Sequence, residues 1–268
     1  MKQPSERKWF YGYQIVAASS IIQMLYLSLM FSFGVLFKEF ESEFGWSRAS
    51  IAGASSMMML MMGTLGIFFL GKANDLFGPR LVLTLAGLLY GLGFMLMSQM
   101  NTLWELYLFF GVMGGFGLAS HDVATLSTIN RWFIRLRGLM TGIVKSGSGL
   151  GQVIGPMAAS FLVINYGWRM ACLVMGLFVM GGMLLASQWM RKDPESMQTV
   201  PLTGKDQDEQ SDHSKSISLN FNQARKTRSF WYLCMAKFAD FFCLMSVSYT
   251  HLRAHETSLH LVCRLLLE

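Results

Sequence analysis

Two long uncharged runs constrain what this chain can fold into. Residues 51–70 and 81–100 contain no Asp, Glu, Lys or Arg. Each run has about 20 residues, the length that a helix needs to cross roughly 30 Å of hydrocarbon. Because a helix that is apolar on every side needs a large protein core or a membrane around it, the runs predict an all-α integral membrane protein.

The composition supports a membrane protein. The chain is 53% hydrophobic and 14% charged, whereas an ordinary soluble domain is about 25% charged. In a soluble protein the net charge of +6 would suggest nucleic acid as a partner. Here most basic residues lie in short loops beside apolar runs, where they fix the orientation in a membrane. We therefore expect the lipid bilayer as partner and no nucleic acid.

The chain divides into six apolar segments, a polar linker and an incomplete seventh segment. The first five segments cover residues 10–37, 51–70, 81–100, 103–129 and 138–164, and the sixth follows a turn at 165–168 and ends near residue 190. We predict a six-helix transmembrane bundle over 1–190, a cytoplasmic linker over 191–229 and an incomplete seventh transmembrane helix over 230–247. Residues 248–268 are too polar to continue that helix, and we expect a tail that is not native.

The basic residues predict the topology. Fifteen Lys and Arg residues fall in the N-terminus, two loops and the linker, whereas Lys38, Arg48 and Arg169 fall on the other side. Positive charge accumulates on the cytoplasmic side, so we predict a multi-pass protein of the cell inner (plasma) membrane with a cytoplasmic N-terminus. The first apolar run is too long for a signal peptide. Residues 38–48 should form an external loop with Ser47 as the N-cap of the second helix.

A polar hinge at residues 71–83 separates the second and third segments. It contains the pattern Gly71-x-x-x-Asp75-x-x-Gly78-x-Arg80. We expect a tight surface loop in which the glycines let two helix ends approach and Asp75 meets Arg80, with Arg131 as a further nearby base. The pattern resembles the loop signature between the second and third helices of the major facilitator superfamily, which implies a conformational role.

A glycine motif lies in the fifth segment and consists of Gly142, Gly151, Gly155 and Pro156. Gly151 and Gly155 are four residues apart and share one helix face, so a neighbouring helix can pack closely there. The motif is similar to the glycine-proline signature of the fifth helix in major facilitator antiporters. Helix packing and a role in antiport both remain open.

Shorter motifs narrow the resemblance to one branch of this superfamily. They are Tyr11-Gly12-Tyr13, Gly45-Trp46-Ser47-Arg48, Trp132-Phe133, Arg137-Gly138, Ser146-Gly147 and Tyr166-Gly167-Trp168-Arg169. Together they look like the monocarboxylate and oxalate:formate antiporter branch. The resemblance implies the N-terminal six-helix half of a secondary active transporter that moves small organic anions by alternating access, coupled to protons or to a counter-anion. A C-terminal six-helix half would be its partner.

Other functions stay open at this point. A major facilitator drug or polyol exporter fits the glycine motif, and a half-transporter could serve as a non-transporting membrane partner. We do not expect an enzyme, because no nucleophile, phosphate-binding loop or metal set appears at workable spacing. We predict no cofactor and no metal. His251 and His255 have a metal-like spacing in the tail with Glu256 beside them, but no fourth ligand group is evident.

Ionisable residues inside the apolar segments are the substrate and coupling candidates: His121, Asp122 and Lys145. A charge at bilayer depth is costly unless it pairs or faces water. Asp122 lies nine residues before Arg131 and Lys145 eight after Arg137, so an antiparallel helix pair places both at similar depth. The pair could couple proton and anion movement or be a static contact. Lys237 and Asp240, three residues apart, suggest a structural pair in the seventh segment.

Overall fold

The computed structural model describes residues 11–65, 69–133 and 136–191 of a first unit, Met1–Asp206. In a second unit, Gln207–Glu268, it describes residues 226–232, 235–236 and 239. The long elements of the first unit are five helices. They are α1 (Tyr11–Phe44), α2 (Arg48–Leu65), α3 (Gly71–Met97), α4 (Leu103–Trp132) and α5 (Arg137–Gln188). Among the described residues, α1, α3, α4 and α5 are long and apolar enough to cross a membrane. The predicted all-α membrane class is confirmed.

The first helix continues further than its apolar run. α1 ends at Phe44, so the predicted external loop over residues 38–48 was wrong for most of its length, and only residues 45–47 are non-helical. Gly45 turns the chain with a φ of 65°. The Ser47 hydroxyl then accepts a hydrogen bond from the Ser50 backbone N–H at 3.1 Å, which confirms the predicted N-cap of α2.

Two helices contain a break at one glycine. Gly78 in α3 has φ 80° and ψ 162°, and Gly167 in α5 has φ 81° and ψ 162°. Only glycine adopts this region without strain. The predicted hinge loop over residues 71–83 is therefore a single-residue break between helical stretches, because 71–77 and 79–97 are both helical. In α5 the break separates residues 137–166 from 168–188, which correspond to the fifth and sixth predicted segments.

The start of α4 is built from two different helix forms. Thr102 and Glu105 form a capping box, in which each side chain accepts a hydrogen bond from the other residue's backbone N–H. An eight-residue π-helix then spans Tyr107–Gly114 before the α-helical part continues to Trp132. Phe110 in the π segment stacks on Phe33 of α1, with ring centroids 3.8 Å apart. The wide turn thus carries an aromatic contact between α1 and α4.

α1 and α5 form the most extensive helix pair in the first unit, and α3 also packs along α5. The core between the helices holds fully buried aromatic side chains, including Tyr26, Tyr90 and Trp132. Apolar side chains also cover the outer face of α5, for example Phe161 and Ile164, which are 64% and 82% exposed. An exposed apolar surface of this extent suits a lipid environment or further helices rather than water.

Arginines tie α3 to α5 at both ends of their contact. Arg80, two residues after the Gly78 break, donates to the Gln188 side chain at the end of α5. Arg169, two residues after the Gly167 break, donates to the backbone oxygen of Ser98 just beyond α3. The same arginine pairs with Glu43 of α1 at 2.8 Å. Each arginine thus fixes a helix end next to a glycine break.

The second unit is described over a few residues. Residues 228–232 are helical, and the Phe230 and Trp231 rings meet edge to face with centroids 5.8 Å apart. This is where the seventh helix was predicted to begin. Lys237, Asp240 and the tail over 248–268 lie outside the described residues, so their predicted roles stay predictions.

Candidate functional site

The centre of the candidate site is an ion pair between α4 and α5. Lys145 Nζ lies 2.5 Å from Asp122 Oδ1, and the two side chains are 42% and 46% exposed. The depth of the two residues along an antiparallel helix pair allowed this contact but did not require it. The structure brings them together, with the carboxylate and the ammonium both reachable from outside the bundle.

α1 adds an amide to this pair. Gln23 is fully buried, and its Nε2 donates to Asp122 Oδ1 at 2.8 Å and to Thr125 Oγ1 at 3.0 Å. Its Oε1 accepts a hydrogen bond from Ser148 Oγ at 2.8 Å. One side chain therefore links three helices, α1, α4 and α5, at the position of the ion pair.

Gln23, Thr125 and Ser148 were not among the predicted site residues, because the prediction considered only ionisable residues inside the membrane. A usable signal existed for the first of them. Gln23 is the one amide in residues 15–29, whose other side chains are apolar or carry a hydroxyl group. A buried amide at bilayer depth needs hydrogen-bond partners, so its presence indicates a polar site on the facing helices.

His121 lies beside the ion pair and faces the core. Its Nδ1 is 2.5 Å from the backbone oxygen of Leu118, which accepts a hydrogen, so Nδ1 carries the hydrogen. Its Nε2 is 3.5 Å from Asp122 Oδ1. With the hydrogen on Nδ1, Nε2 can donate toward the carboxylate only when the ring is doubly protonated. The Tyr26 ring, 5.5 Å away, covers the imidazole on the α1 side.

The side chains of this site offer groups that can bind a proton and a group that can bind an anion. Asp122 can take up a proton, Lys145 can bind an anion, and His121 can add a positive charge next to the same carboxylate oxygen. Within the part of the chain that the structure describes, no group of three or more His, Cys, Asp or Glu side chains could hold a metal ion. His251 and His255 lie outside that part.

The hinge residues take partners on different helices. Asp75 Oδ1 pairs with Arg131 at the end of α4 at 2.9 Å, the nearby base that the sequence suggested. Arg80 instead donates to Gln188. The predicted meeting of Asp75 and Arg80 at the turn is therefore corrected, because Asp75 bridges to α4 and Arg80 bridges to α5.

The predicted close approach of helix ends at the hinge is also corrected, since added Cβ atoms at Gly71 and Gly78 would meet nothing within 4 Å among the described residues. Position 78 requires glycine because its φ is positive, at 80°.

The glycine motif packs α5 against the backbone of α1. A Cβ at Gly151 would collide with the backbone oxygen of Met24, and one at Gly155 with that of Ser28. Gly147, which the motif did not include, collides in the same way with Ser20. These three glycines, spaced by four residues, form a strip that we call the glycine ladder.

Two further members of the predicted motif lie outside this ladder. An added Cβ at Gly142 would meet nothing within 4 Å among the described residues, so its assignment to helix packing is corrected. It lies on the exposed side of α5, because the ladder follows a different row of residues. Pro156 follows Gly155 inside α5, and the one non-helical residue within that helix is Gly167.

Comparison with known proteins gives consistent matches. The family model described as the Major Facilitator Superfamily matches residues 19–262. Monocarboxylate transporter 2 of Mus musculus is 31% identical over 182 residues, which are 66% of this chain and 36% of that protein. Monocarboxylate transporter 11 of Homo sapiens is 29% identical over 204 residues, 74% of this chain and 42% of that protein. The chain thus spans less than half the length of these curated relatives.

Proposed function

The chain belongs to the major facilitator superfamily, and we propose that it supplies the N-terminal six-helix half of a secondary transporter for small organic anions. Transport proceeds by alternating access, coupled to protons or to a counter-anion. The names of the relatives support monocarboxylates as the substrate class. The observation that carries the proposal is the half-exposed Asp122–Lys145 pair, which combines an anion-binding group with a proton-binding group at bilayer depth.

The proposed coupling is a competition for Lys145. In the resting state its ammonium is neutralised by the Asp122 carboxylate at 2.5 Å. A carboxylate substrate that approaches the exposed side of Lys145 competes with Asp122 for this cation. Protonation of Asp122, or of His121 at 3.5 Å from the same oxygen, weakens the internal pair and favours the substrate. One proton and one anion would then bind together, which avoids leaving an unpaired charge in the membrane.

A static pair is the alternative role for these residues. Buried ion pairs often add little net stability, because the loss of hydration offsets the attraction between the charges. Such pairs can still orient two helices. The exposure of both side chains, 42% and 46%, favours the coupling role, since a purely structural pair has no need to be reachable from outside the bundle.

The remaining parts of the proposal concern the whole transporter. We propose a plasma-membrane location with the N-terminus in the cytoplasm and the substrate site between this half and a C-terminal six-helix half. In this arrangement residues 191–229 form the cytoplasmic linker between the halves. The hinge with Asp75 then takes part in the change between inward- and outward-facing states and does not bind the substrate.

The test is a flux measurement with the product of the native locus, so that any further segments are included. The purified protein is reconstituted in vesicles, and uptake of radiolabelled lactate is followed with and without an inward proton gradient and with preloaded unlabelled carboxylate. Stimulation by the gradient or by the preloaded anion supports the proposal. Movement of a cationic drug or a polyol without carboxylate uptake would replace it with an exporter, and a stable protein without flux would favour a membrane partner role.

A further inference from the structure

We infer that Gln23 is a positioning residue that sets the pH at which Asp122 takes up a proton, an inference that rests on the proposed function. The amide is uncharged, so it can act on the carboxylate without competing for the anionic substrate. Its buried position on α1 and its three hydrogen bonds to α4 and α5 carry the argument.

The hydrogen-bond network fixes the orientation of the Gln23 amide. Thr125 Oγ1 donates its hydrogen to the backbone oxygen of His121 at 2.5 Å, so toward Gln23 it can only accept. Ser148 can donate its hydrogen to Oε1. Turning the amide over would place Oε1 against the Asp122 carboxylate and against the Thr125 oxygen, where no hydrogen remains to be shared. The N–H groups must therefore face Asp122 and Thr125.

The two oxygens of Asp122 have different surroundings. Oδ1 receives hydrogen bonds from Gln23 Nε2 at 2.8 Å and Lys145 Nζ at 2.5 Å, and His121 Nε2 lies 3.5 Å from it. None of the hydrogen bonds among the described residues ends on Oδ2. Oδ2 is accordingly the oxygen that is free to take a proton, while Gln23 and Lys145 hold the carboxylate by Oδ1.

The titratable surroundings of Asp122 come from four helices. They are His121 on α4, Lys145 on α5, Tyr26 on α1 with its ring 5.5 Å from His121, and Tyr90 on α3 with its ring 5.2 Å from Tyr26. α2 carries no titratable side chain after Arg48. Lys145 is the one close charge in this set that the proposed mechanism moves away, when substrate binds.

The hydrogen bond from Gln23 matters most for the protonation of Asp122 when Lys145 binds the substrate. A hydrogen bond from an N–H to a carboxylate favours the ionised form. With the ammonium engaged by an anion, the amide is the donor that still holds the Asp122 carboxylate. Removing Gln23 should therefore let Asp122 bind its proton at higher pH, with little change in the affinity for the anion at low pH. A residue with only a structural role would not separate these two quantities.

The experiment uses Gln23→Leu in the full product of the native locus, with Gln14→Leu as the matched control. Gln14 is an exposed amide on the same helix. The infrared band of the protonated Asp122 carboxyl group, identified by its loss in Asp122→Asn, is titrated with pH in lipid vesicles. The pH profile and the KM of lactate uptake are measured on the same samples.

We expect the Gln23→Leu titration and the uptake profile to move to higher pH by about one to two units, because the variant loses a hydrogen bond that favours the ionised carboxylate. Gln14→Leu should leave both unchanged. Ser148→Ala, which removes the hydrogen bond that orients the amide, should shift them in the same direction by a smaller amount. If Gln23→Leu does not fold, Ser148→Ala alone tests the inference.

Unchanged titration in both Gln23→Leu and Ser148→Ala would overturn the inference, and so would an equal shift in Gln14→Leu. A loss of lactate affinity at low pH with no shift of the profile would also overturn it, because that result indicates a substrate contact. If the wild-type protein moves no carboxylate, the proposed function fails. The infrared titration still tests Gln23 in that case, so the two failures are distinguishable.

Discussion

At the scale of single residues, one carboxylate oxygen is the meeting point of three helices. Asp122 Oδ1 accepts from Lys145 of α5 and from Gln23 of α1, while the carboxylate itself belongs to α4. Any change of charge at this oxygen therefore changes contacts along two helix pairs at once. This is a direct way for a proton to influence the packing of the bundle.

The first prediction compares Asp122→Asn, Lys145→Gln and the double variant. The coupling role predicts that all three fold and that all three lose lactate uptake by at least about tenfold, which corresponds to about 1.4 kcal/mol of lost interaction. In the proposed mechanism neither charge alone is sufficient, since the substrate binds Lys145 and the proton binds Asp122. Uptake in vesicles is measured between acidic and neutral pH.

Thermal unfolding in detergent provides the control for this comparison. A static pair predicts weaker stability in each single variant, because an unpaired charge remains in the membrane, and recovery in the double variant. A double variant that takes up lactate at the wild-type rate and with the wild-type pH dependence would exclude the coupling role.

The sequence could place Asp122 and Lys145 at one depth, because depth follows from counting residues along two antiparallel helices. It could not establish their contact, since the direction of a side chain around the helix axis depends on how the two helices are rotated. The partners of Gln23 could not be predicted for a related reason. Its partners Thr125 and Ser148 are about 100 residues or more away in the chain, and no local pattern connects residues at that distance.

At the scale of elements, the glycine ladder determines how closely α1 and α5 approach. The second prediction is that Gly151→Ala lowers the free energy of unfolding by about 1 to 3 kcal/mol, the usual effect of overpacking. Its Cβ would collide with the backbone oxygen of Met24, which cannot move aside as a side chain can. Gly149→Ala, two residues away with nothing within 4 Å among the described residues, is the matched control. Equal unfolding temperatures for the two variants would contradict the ladder.

The third prediction concerns the bridge from α3 to α4 at the hinge. Asp75→Asn removes the charge that faces Arg131 at 2.9 Å. Both side chains are partly exposed, so the loss of stability should stay below about 1 kcal/mol. We expect a slower return to the state that this ion pair stabilises, because forming the contact with Arg131 contributes less free energy in the variant, while lactate affinity stays nearly unchanged.

Exchange can be followed by fluorescence of labels placed on this half and on the proposed C-terminal half, and affinity by equilibrium binding in detergent. A large loss of binding by a normally folded Asp75→Asn protein would place this residue in the substrate site instead. Asp75→Glu keeps the charge and should behave like the wild type.

Helix ends were the least predictable elements. Residues 38–44, Lys-Glu-Phe-Glu-Ser-Glu-Phe, read as a loop because they are polar. Lys and Glu are nevertheless good helix formers, so α1 leaves the apolar run without ending. Polarity marks where a helix exits the membrane, whereas Gly45 with its positive φ marks where it stops. The same distinction explains why the polar hinge is helical on both sides of Gly78.

At the scale of the whole molecule, the two glycine breaks have the same backbone conformation and the same continuation. Gly78 and Gly167 are each followed two residues later by an arginine that bridges α3 and α5, Arg80 at one end and Arg169 at the other. Six-helix halves of this superfamily contain nested three-helix repeats. The matching breaks fit such a repeat. Gly78 follows the second predicted apolar segment and Gly167 follows the fifth, so each break follows the second segment of a set of three.

The fourth prediction tests the topology with single cysteines in a background without the four native ones. Tyr166→Cys, 65% exposed beside the Gly167 break, should react with a membrane-impermeant maleimide added to intact cells. Leu76→Cys, 78% exposed beside the Gly78 break, should react only after permeabilisation. The expectation follows from the excess of basic residues on the predicted cytoplasmic side, and the reverse labelling pattern would invert the proposed orientation.

The contact between Gln23 and Ser148 has a consequence for biosynthesis. The two residues are 125 positions apart in the chain, and a ribosome adds about 5 to 20 residues per second, so α1 emerges about 6 to 25 s before its partner on α5 exists. During that interval a buried amide and the oxygen row of Ser20, Met24 and Ser28 have no α5 to contact. Until α5 is made, the first helix therefore lacks the hydrogen bond that Ser148 donates to Gln23 and the close packing of the glycine ladder.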